Sequence, residues 1–143
     1  MNDSSVPEEI DITDDRILRN VDNATEKSLN GPRVTDLICK LVPNFENFLI
    51  VLRCVRKWAK VRGLYGNKLG YLGGVNCNIL VAFVCQLYPK ASPSFLLSRF
   101  FFVCHKRTWP DPVLLTPIKP NPPGETRDIW SKEKYENHVM PII

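Results

Sequence analysis

Ile79-Leu80-Val81-Ala82-Phe83-Val84-Cys85 is the stretch whose reading decides the fold. Seven apolar residues follow one another with no polar face between Asn76-Cys77-Asn78 and Gln86-Leu87-Tyr88. The spacing predicts a helix from about Asn76 to Tyr88, closed by Pro89. A helix that is apolar all round belongs in the middle of a bundle, covered by neighbours on every side. The run is far short of the ~18 apolar residues that a membrane span needs, so it reads as core.

Its neighbours supply that cover. Downstream, Ser92-Pro93 opens a helix, Ser as N-cap and Pro at the first helical position. That helix is expected to run from Pro93 to Cys104 or Lys106, with Phe95, Leu96, Phe100, Phe101, Phe102 and Val103 heavily buried. Upstream, Phe45 to Arg62 carries an apolar stripe of Phe45, Phe48, Leu49, Leu52, Val55 and Ala59. Glu46, Arg53, Lys57 and Lys60 share the opposite face, with Arg56 at its edge. Gly63 ends this helix as a left-handed C′ residue, and Lys60 and Arg62 suit the negative end of its dipole.

Between the basic helix and the apolar one lies Tyr65-Gly66-Asn67-Lys68-Leu69-Gly70-Tyr71-Leu72-Gly73-Gly74-Val75, with four of the chain's seven glycines in nine residues. A glycine-bent polar connector between buried helices is a natural place for a ligand. Gly73-Gly74 opens a helix whose first N–H groups lack internal partners, and such an end accepts phosphate; two glycines also simply make a tight turn. Arg56 and Lys60, one turn apart, suit a triphosphate or form a solvated basic face. Tyr65 suits stacking or a phosphate contact, or packs.

The flanks are less regular. Ser28-Leu29-Asn30-Gly31-Pro32 reads as a turn, followed by a helix from about Val34 to Leu41 with Val34, Leu37, Ile38 and Leu41 on one face. Residues 1–12 read as extended or disordered, and Thr13 or Asp14 caps a short helix to Arg19. At the other end Trp109-Pro110-Asp111-Pro112 is a turn. Val113-Leu114-Leu115 is a short strand or an extended segment laid on the bundle, and residues 117–124 form an open proline-rich loop. Trp130 and the tail His138-Val139-Met140-Pro141-Ile142-Ile143 are expected to pack back on the core.

The 143 residues are enough for one domain with a real core. Residues 1–26 hold eight acids against Arg16 and Arg19, and the rest holds 17 bases against seven acids. An excess of that size after residue 26 attracts an anionic partner. The N-terminus is neither a secretory signal nor an arginine-rich transit peptide, so the expected location is intracellular. Cys39, Cys54, Cys77, Cys85 and Cys104 show no metal-binding spacing and read as reduced thiols, most of them core. His105 and His138 read as ordinary surface or packed histidines. No nucleophile-and-base motif, zinc motif or P-loop is present, and Asp11-Ile12-Thr13 does not make a metal-holding D-x-D. Asp14-Asp15 read as a helix N-terminal turn. From residues alone the chain is all-α, a basic helical bundle with short extended segments at its C-terminal end and an anion-binding connector.

Seven blocks together carry a resemblance: Ser28-Leu-Asn30-Gly-Pro-Arg33-Val34-Thr35-Asp36, Arg53-Cys-Val-Arg56-Lys57-Trp58-Ala59-Lys60, Gly63-Leu-Tyr65-Gly-Asn67, Gly70-Tyr-Leu-Gly73-Gly74-Val75, Cys85-Gln86-Leu87-Tyr88-Pro89, Trp109-Pro110-Asp-Pro112-Val-Leu-Leu115-Thr-Pro117-Ile118 and Met140-Pro141-Ile142-Ile143. In order and spacing, from about residue 13 to the end, they resemble the central domain of eukaryotic poly(A) polymerase of the nuclear type. The resemblance implies that residues 1–27 are a link from an upstream nucleotidyltransferase domain and that residues 28–143 are the central helical domain. It places the catalytic aspartates, with their Mg2+ or Mn2+, in the upstream domain, and an RNA-binding domain downstream, both outside this chain. The implied reaction is transfer of AMP from ATP to the 3′ end of mRNA, in the nucleus, with cleavage and polyadenylation factors as partners and no membrane. The chain alone is expected to be inactive and monomeric.

By position the resemblance assigns Asn30 to the nucleotide sugar, Tyr65 to the phosphates, Asn67 to the adenine and Gly74-Val75 to the base. Arg56 stands where the family usually has lysine, and Asn76-Cys77-Asn78 where it typically has Ser-Trp-Ala. A reading of another class is a non-catalytic basic helical module that docks RNA or an acidic protein.

Overall fold

A computed structural model describes residue 17, residues 23–118, residue 120 and residues 129–143. The helix expected from Thr13 or Asp14 to Arg19 lies, apart from residue 17, outside the described residues, as do residue 119 and residues 121–124 of the proline-rich loop. The chain divides into two compact units, Met1–Lys40 and Leu41–Ile143.

The first unit is represented by α1, Asn23–Leu41, with Pro32 in its interior. The expected turn at Ser28–Pro32 does not form; the helix runs through it. Pro32 has no N–H to give to the helix, and a proline in a helix interior costs about 3 kcal/mol. The turns that follow are reinforced. Thr35 Oγ1 donates to the Gly31 carbonyl at 3.0 Å, and Lys40 pairs with Asp36 one turn back at 2.8 Å. A 19-residue helix has enough other backbone bonds to carry one that is missing. It also runs uninterrupted through residues 27 and 28.

The second unit is a three-helix bundle of α2 (Phe45–Val61), α3 (Gly74–Leu87) and α4 (Pro93–Lys106), each packed against the other two. α2 begins at Asn44, whose Oδ1 accepts the backbone N–H of Asn47 at 2.9 Å. It buries Phe48, Val51, Leu52, Val55 and Ala59. Phe45, expected in the stripe, is exposed at the helix start and rests on the Phe48 ring. The helix ends as the sequence indicates: Gly63 adopts φ 69°, and the Gly63 and Leu64 N–H groups return to the Lys60 and Ala59 carbonyls.

α3 is the central element, with Cys77, Ile79, Leu80, Val81, Ala82, Val84 and Cys85 all buried. Each fully buried aliphatic side chain of this kind contributes ~1.5–3 kcal/mol. α3 starts at Gly74, two residues before the expected Asn76.

α4 has the expected bounds, but only Leu96 and Phe100 are buried. Phe95, Phe101 and Phe102 are exposed, a correction with a simple cause. Successive helical residues point about 100° apart, so only one of Phe100, Phe101 and Phe102 faces the core. Phe101 meets Trp58 edge-on at 4.8 Å between centroids, and the Arg99 guanidinium lies over Phe95 and Phe102.

The C-terminal segment closes on itself through one parallel bridge between Val113 and Ile142. Val113 donates to the Pro141 carbonyl at 2.9 Å, and Ile143 donates to the Val113 carbonyl at 3.0 Å. Pro141 and Ile142 therefore pair with Val113, which is almost fully buried, but the expected packing of the whole apolar tail on the core is not seen: Val139, Met140 and Ile143 are exposed. Of the cysteines, only Cys77 and Cys85 are buried; Cys104 is half-buried, and Cys39 and Cys54 are exposed. Burial pushes the Cys85 and Cys104 thiols up to about 11. Among the described residues no helix is long and apolar enough to cross a membrane.

Candidate functional site

The connector between α2 and α3 is a closed loop rather than a loose bend. Tyr65 and Leu72 form a parallel bridge. The Gly66 N–H donates to the Leu72 carbonyl at 3.1 Å, and the Leu69 and Tyr71 N–H groups both return to the Gly66 carbonyl. A single 3-10 turn, Asn67–Leu69, fills the loop. The loop thus delivers Tyr65 and the first residues of α3 to the same place.

Side chains approach two glycines there closely. A Cβ on Gly73 would stand 2.4 Å from Asn67 Oδ1, so the Asn67 amide occupies the space a side chain would take. A Cβ on Gly74 would stand 3.2 Å from the Tyr65 hydroxyl and 3.4 Å from Arg56 Nη2. The phenol and the guanidinium therefore converge on the backbone of the first residue of α3.

Arg56, half-buried on α2, reaches across to α3. Its Nη2 donates to Asn78 Oδ1 at 2.6 Å and lies 3.4 Å from the Gly74 carbonyl oxygen. Its Nε is buried and has no hydrogen-bond partner among the described residues. One turn further along α2, Lys60 places its ammonium 5.1 Å from the Tyr65 ring centroid, a cation–π contact. Cys77 is buried on the same turn of α3; burial pushes its thiol up, and the charge of Arg56 partly offsets this. The thiol therefore stays neutral and sets no negative charge against the guanidinium.

Of the sequence-predicted residues, Arg56, Tyr65 and Gly74 are brought together. Asn67 joins them through its packing on Gly73. Val75 follows on α3 with 48 % of its surface exposed, a bare apolar side chain at the helix start. Asn30 is exposed on α1, in the first unit. Two residues with no assigned role proved structural partners of the site. Asn76 Oδ1 accepts the Gly73 N–H at 3.0 Å, and Asn78 holds Arg56. The sequence marks them only as members of the triplet that departs from the pattern the rest of the connector follows, which does not indicate what either side chain contacts.

Arg56 and Lys60 supply two cations, Tyr65 a hydroxyl donor, and α3 an N-terminus with unpartnered amides by construction. That set suits a polyanion with a flat group beside it. Among the described residues no group of three or more His, Cys, Asp or Glu side chains could hold a metal ion.

Comparison with known proteins adds the family context. The poly(A) polymerase central domain matches residues 47–143, and the poly(A) polymerase nucleotidyltransferase domain matches residues 1–42. Nuclear poly(A) polymerase 4 of Arabidopsis thaliana is 51% identical over 141 residues, covering 96% of this chain and 19% of that protein. Nuclear poly(A) polymerase 1 of the same plant is 48% identical, with 96% of this chain and 20% of that protein covered. The poly(A) polymerase of Dictyostelium discoideum is 45% identical, with 98% and 17% covered. The chain thus spans about a fifth of the length of these relatives.

Proposed function

The chain belongs to the poly(A) polymerase family, and from that premise we propose that it forms the central helical part of an enzyme that transfers AMP from ATP to the 3′ end of mRNA. Its own task is to hold ATP. The observation that carries this reading is the convergence of the Tyr65 hydroxyl and Arg56 Nη2 on Gly74, beside Lys60.

Phosphoryl-type transfer depends mostly on positioning and charge neutralisation. On this reading Arg56 and Lys60 neutralise the triphosphate, and the Tyr65 hydroxyl donates to a phosphate oxygen. Gly74, lacking a Cβ, lets the base lie against the backbone, with the exposed Val75 beside it. Asn67 reads the adenine edge, and Asn30 is the proposed contact to the sugar. The Mg2+ or Mn2+ ions that such an enzyme uses would neutralise developing phosphate charge. The described residues do not suit them, so they are assigned, with the catalytic aspartates, to the nucleotidyltransferase part. The match of that domain to residues 1–42 supports a hand-over between the two parts near α1. The RNA 3′ end, an RNA-binding part and cleavage and polyadenylation factors complete the proposed machinery. A nuclear location follows from the names of the Arabidopsis relatives.

The test is kinetic, in the full-length polypeptide carrying this chain. Arg56→Ala should raise the KM for ATP or lower kcat about tenfold or more with folding intact, a charge-assisted contact being worth about 1.5–3 kcal/mol. The 143-residue chain alone should not extend RNA. Unchanged ATP kinetics, together with RNA binding that falls steeply with salt and ignores ATP, would instead identify a basic docking module.

A further inference from the structure

We infer that Asn78 is a positioning residue for the Arg56 guanidinium, so that the two act as one unit in binding the triphosphate; this rests on the nucleotide-site reading above. The two residues are 22 positions apart, on α3 and α2, and meet at 2.6 Å. Asn78 is the fifth residue of α3, past the positions at which an asparagine caps a helix start. Asparagine in a helical turn ordinarily competes for nearby backbone; here its carbonyl oxygen is committed to Arg56 instead.

The geometry of the guanidinium gives this contact its consequence. Nη2 carries two N–H groups. One is directed at Asn78 Oδ1, and the Gly74 carbonyl lies 3.4 Å away as a weaker second acceptor. Nε is buried without a partner among the described residues. Nη1 has no hydrogen-bond partner among them either, so one corner of the fork is anchored to α3 and another is free to donate. Arginine has many rotamers to lose, and its planar fork is useful only when its orientation is set. An ammonium at the same place, being a point charge, needs no such guide. The neutral Cys77 thiol beside the pair does not compete for the cation.

The experiment is a double-mutant cycle on ATP affinity in the full-length polypeptide, with urea unfolding of each variant in parallel. Asn78→Ala should weaken ATP binding about tenfold. In the Arg56→Lys background the same Asn78→Ala change should leave ATP affinity within twofold. Asn78→Ser, which keeps a small polar side chain but is too short to reach Arg56, is the second variant should alanine unfold the protein, and it should behave alike. Equal weakening in the arginine and lysine backgrounds would make Asn78 merely structural and overturn the inference. If Arg56→Ala weakens ATP binding and Asn78→Ala does not, the positioning role fails while the nucleotide site stands. No effect from either overturns both.

Discussion

Gly73→Ala separates the fold from the function of the connector. The backbone of Gly73, at φ −85° and ψ −179°, suits any residue, so alanine meets no strain of its own. Its Cβ would stand 2.4 Å from Asn67 Oδ1 and 2.7 Å from both Cγ and Nδ2. All three atoms belong to the end of one exposed side chain, which can swing into solvent. Replacing glycine at a compatible backbone position gains about 0.4–1 kcal/mol through the unfolded state. Forcing Asn67 from its rotamer costs about 0.5–1.5 kcal/mol. The two nearly cancel, so the midpoint of urea unfolding should shift by less than the equivalent of about 1 kcal/mol. Nucleotide binding should not be spared. Losing one neutral hydrogen bond from Asn67 is worth about 0.5–1.5 kcal/mol, a roughly two- to tenfold rise in the Kd for ATP, read by equilibrium titration of the full-length polypeptide. In an Asn67→Ala background, Gly73→Ala should add nothing further. A stability loss above about 2 kcal/mol would show that the Asn67 amide cannot move, and the reasoning would fail. So would unchanged ATP affinity in Gly73→Ala when Asn67→Ala alone weakens it.

Two further expectations concern the bundle. Leu80→Ala removes a side chain that is 2 % exposed at the centre of α3, and should lower the unfolding free energy by about 2–5 kcal/mol in urea. The buried Cys85 thiol is raised from 9.0 to about 11 in the folded chain. The unfolded state therefore releases its proton first, and the contribution of this thiol is fully present below about pH 8.5 and lost as pH rises through 11. Between pH 8.5 and 10.5 the stability of the parent chain should fall more steeply than that of Cys85→Ala; parallel slopes would refute the assignment.

The three helices of the bundle were legible because their signals are local. Apolar periodicity located α2, the unbroken run Ile79–Cys85 located α3, and Ser92-Pro93 located the start of α4. Gly63 announced its own left-handed turn. The candidate site was legible in part: Arg56, Tyr65 and Gly74, singled out in the sequence, lie close together in space. The partners of the site were not. Nothing in the spacing of Asn76 and Asn78 says that one ties down Gly73 and the other Arg56, since each contact depends on how a side chain is aimed.

Local chemistry in the chain determined an all-helical bundle with an apolar α3 at its centre and a glycine-bent connector at the mouth of that helix. The folded structure decided three things that the sequence pattern left open. The helix α1 runs through Asn30-Gly31-Pro32 because its many other backbone bonds outweigh one missing donor. Phe100 turns inward while Phe101 and Phe102 stay outside because successive side chains on a helix diverge. Arg56 is held by Asn78 because α2 and α3 pack side by side, a contact between residues 22 apart that no local pattern encodes.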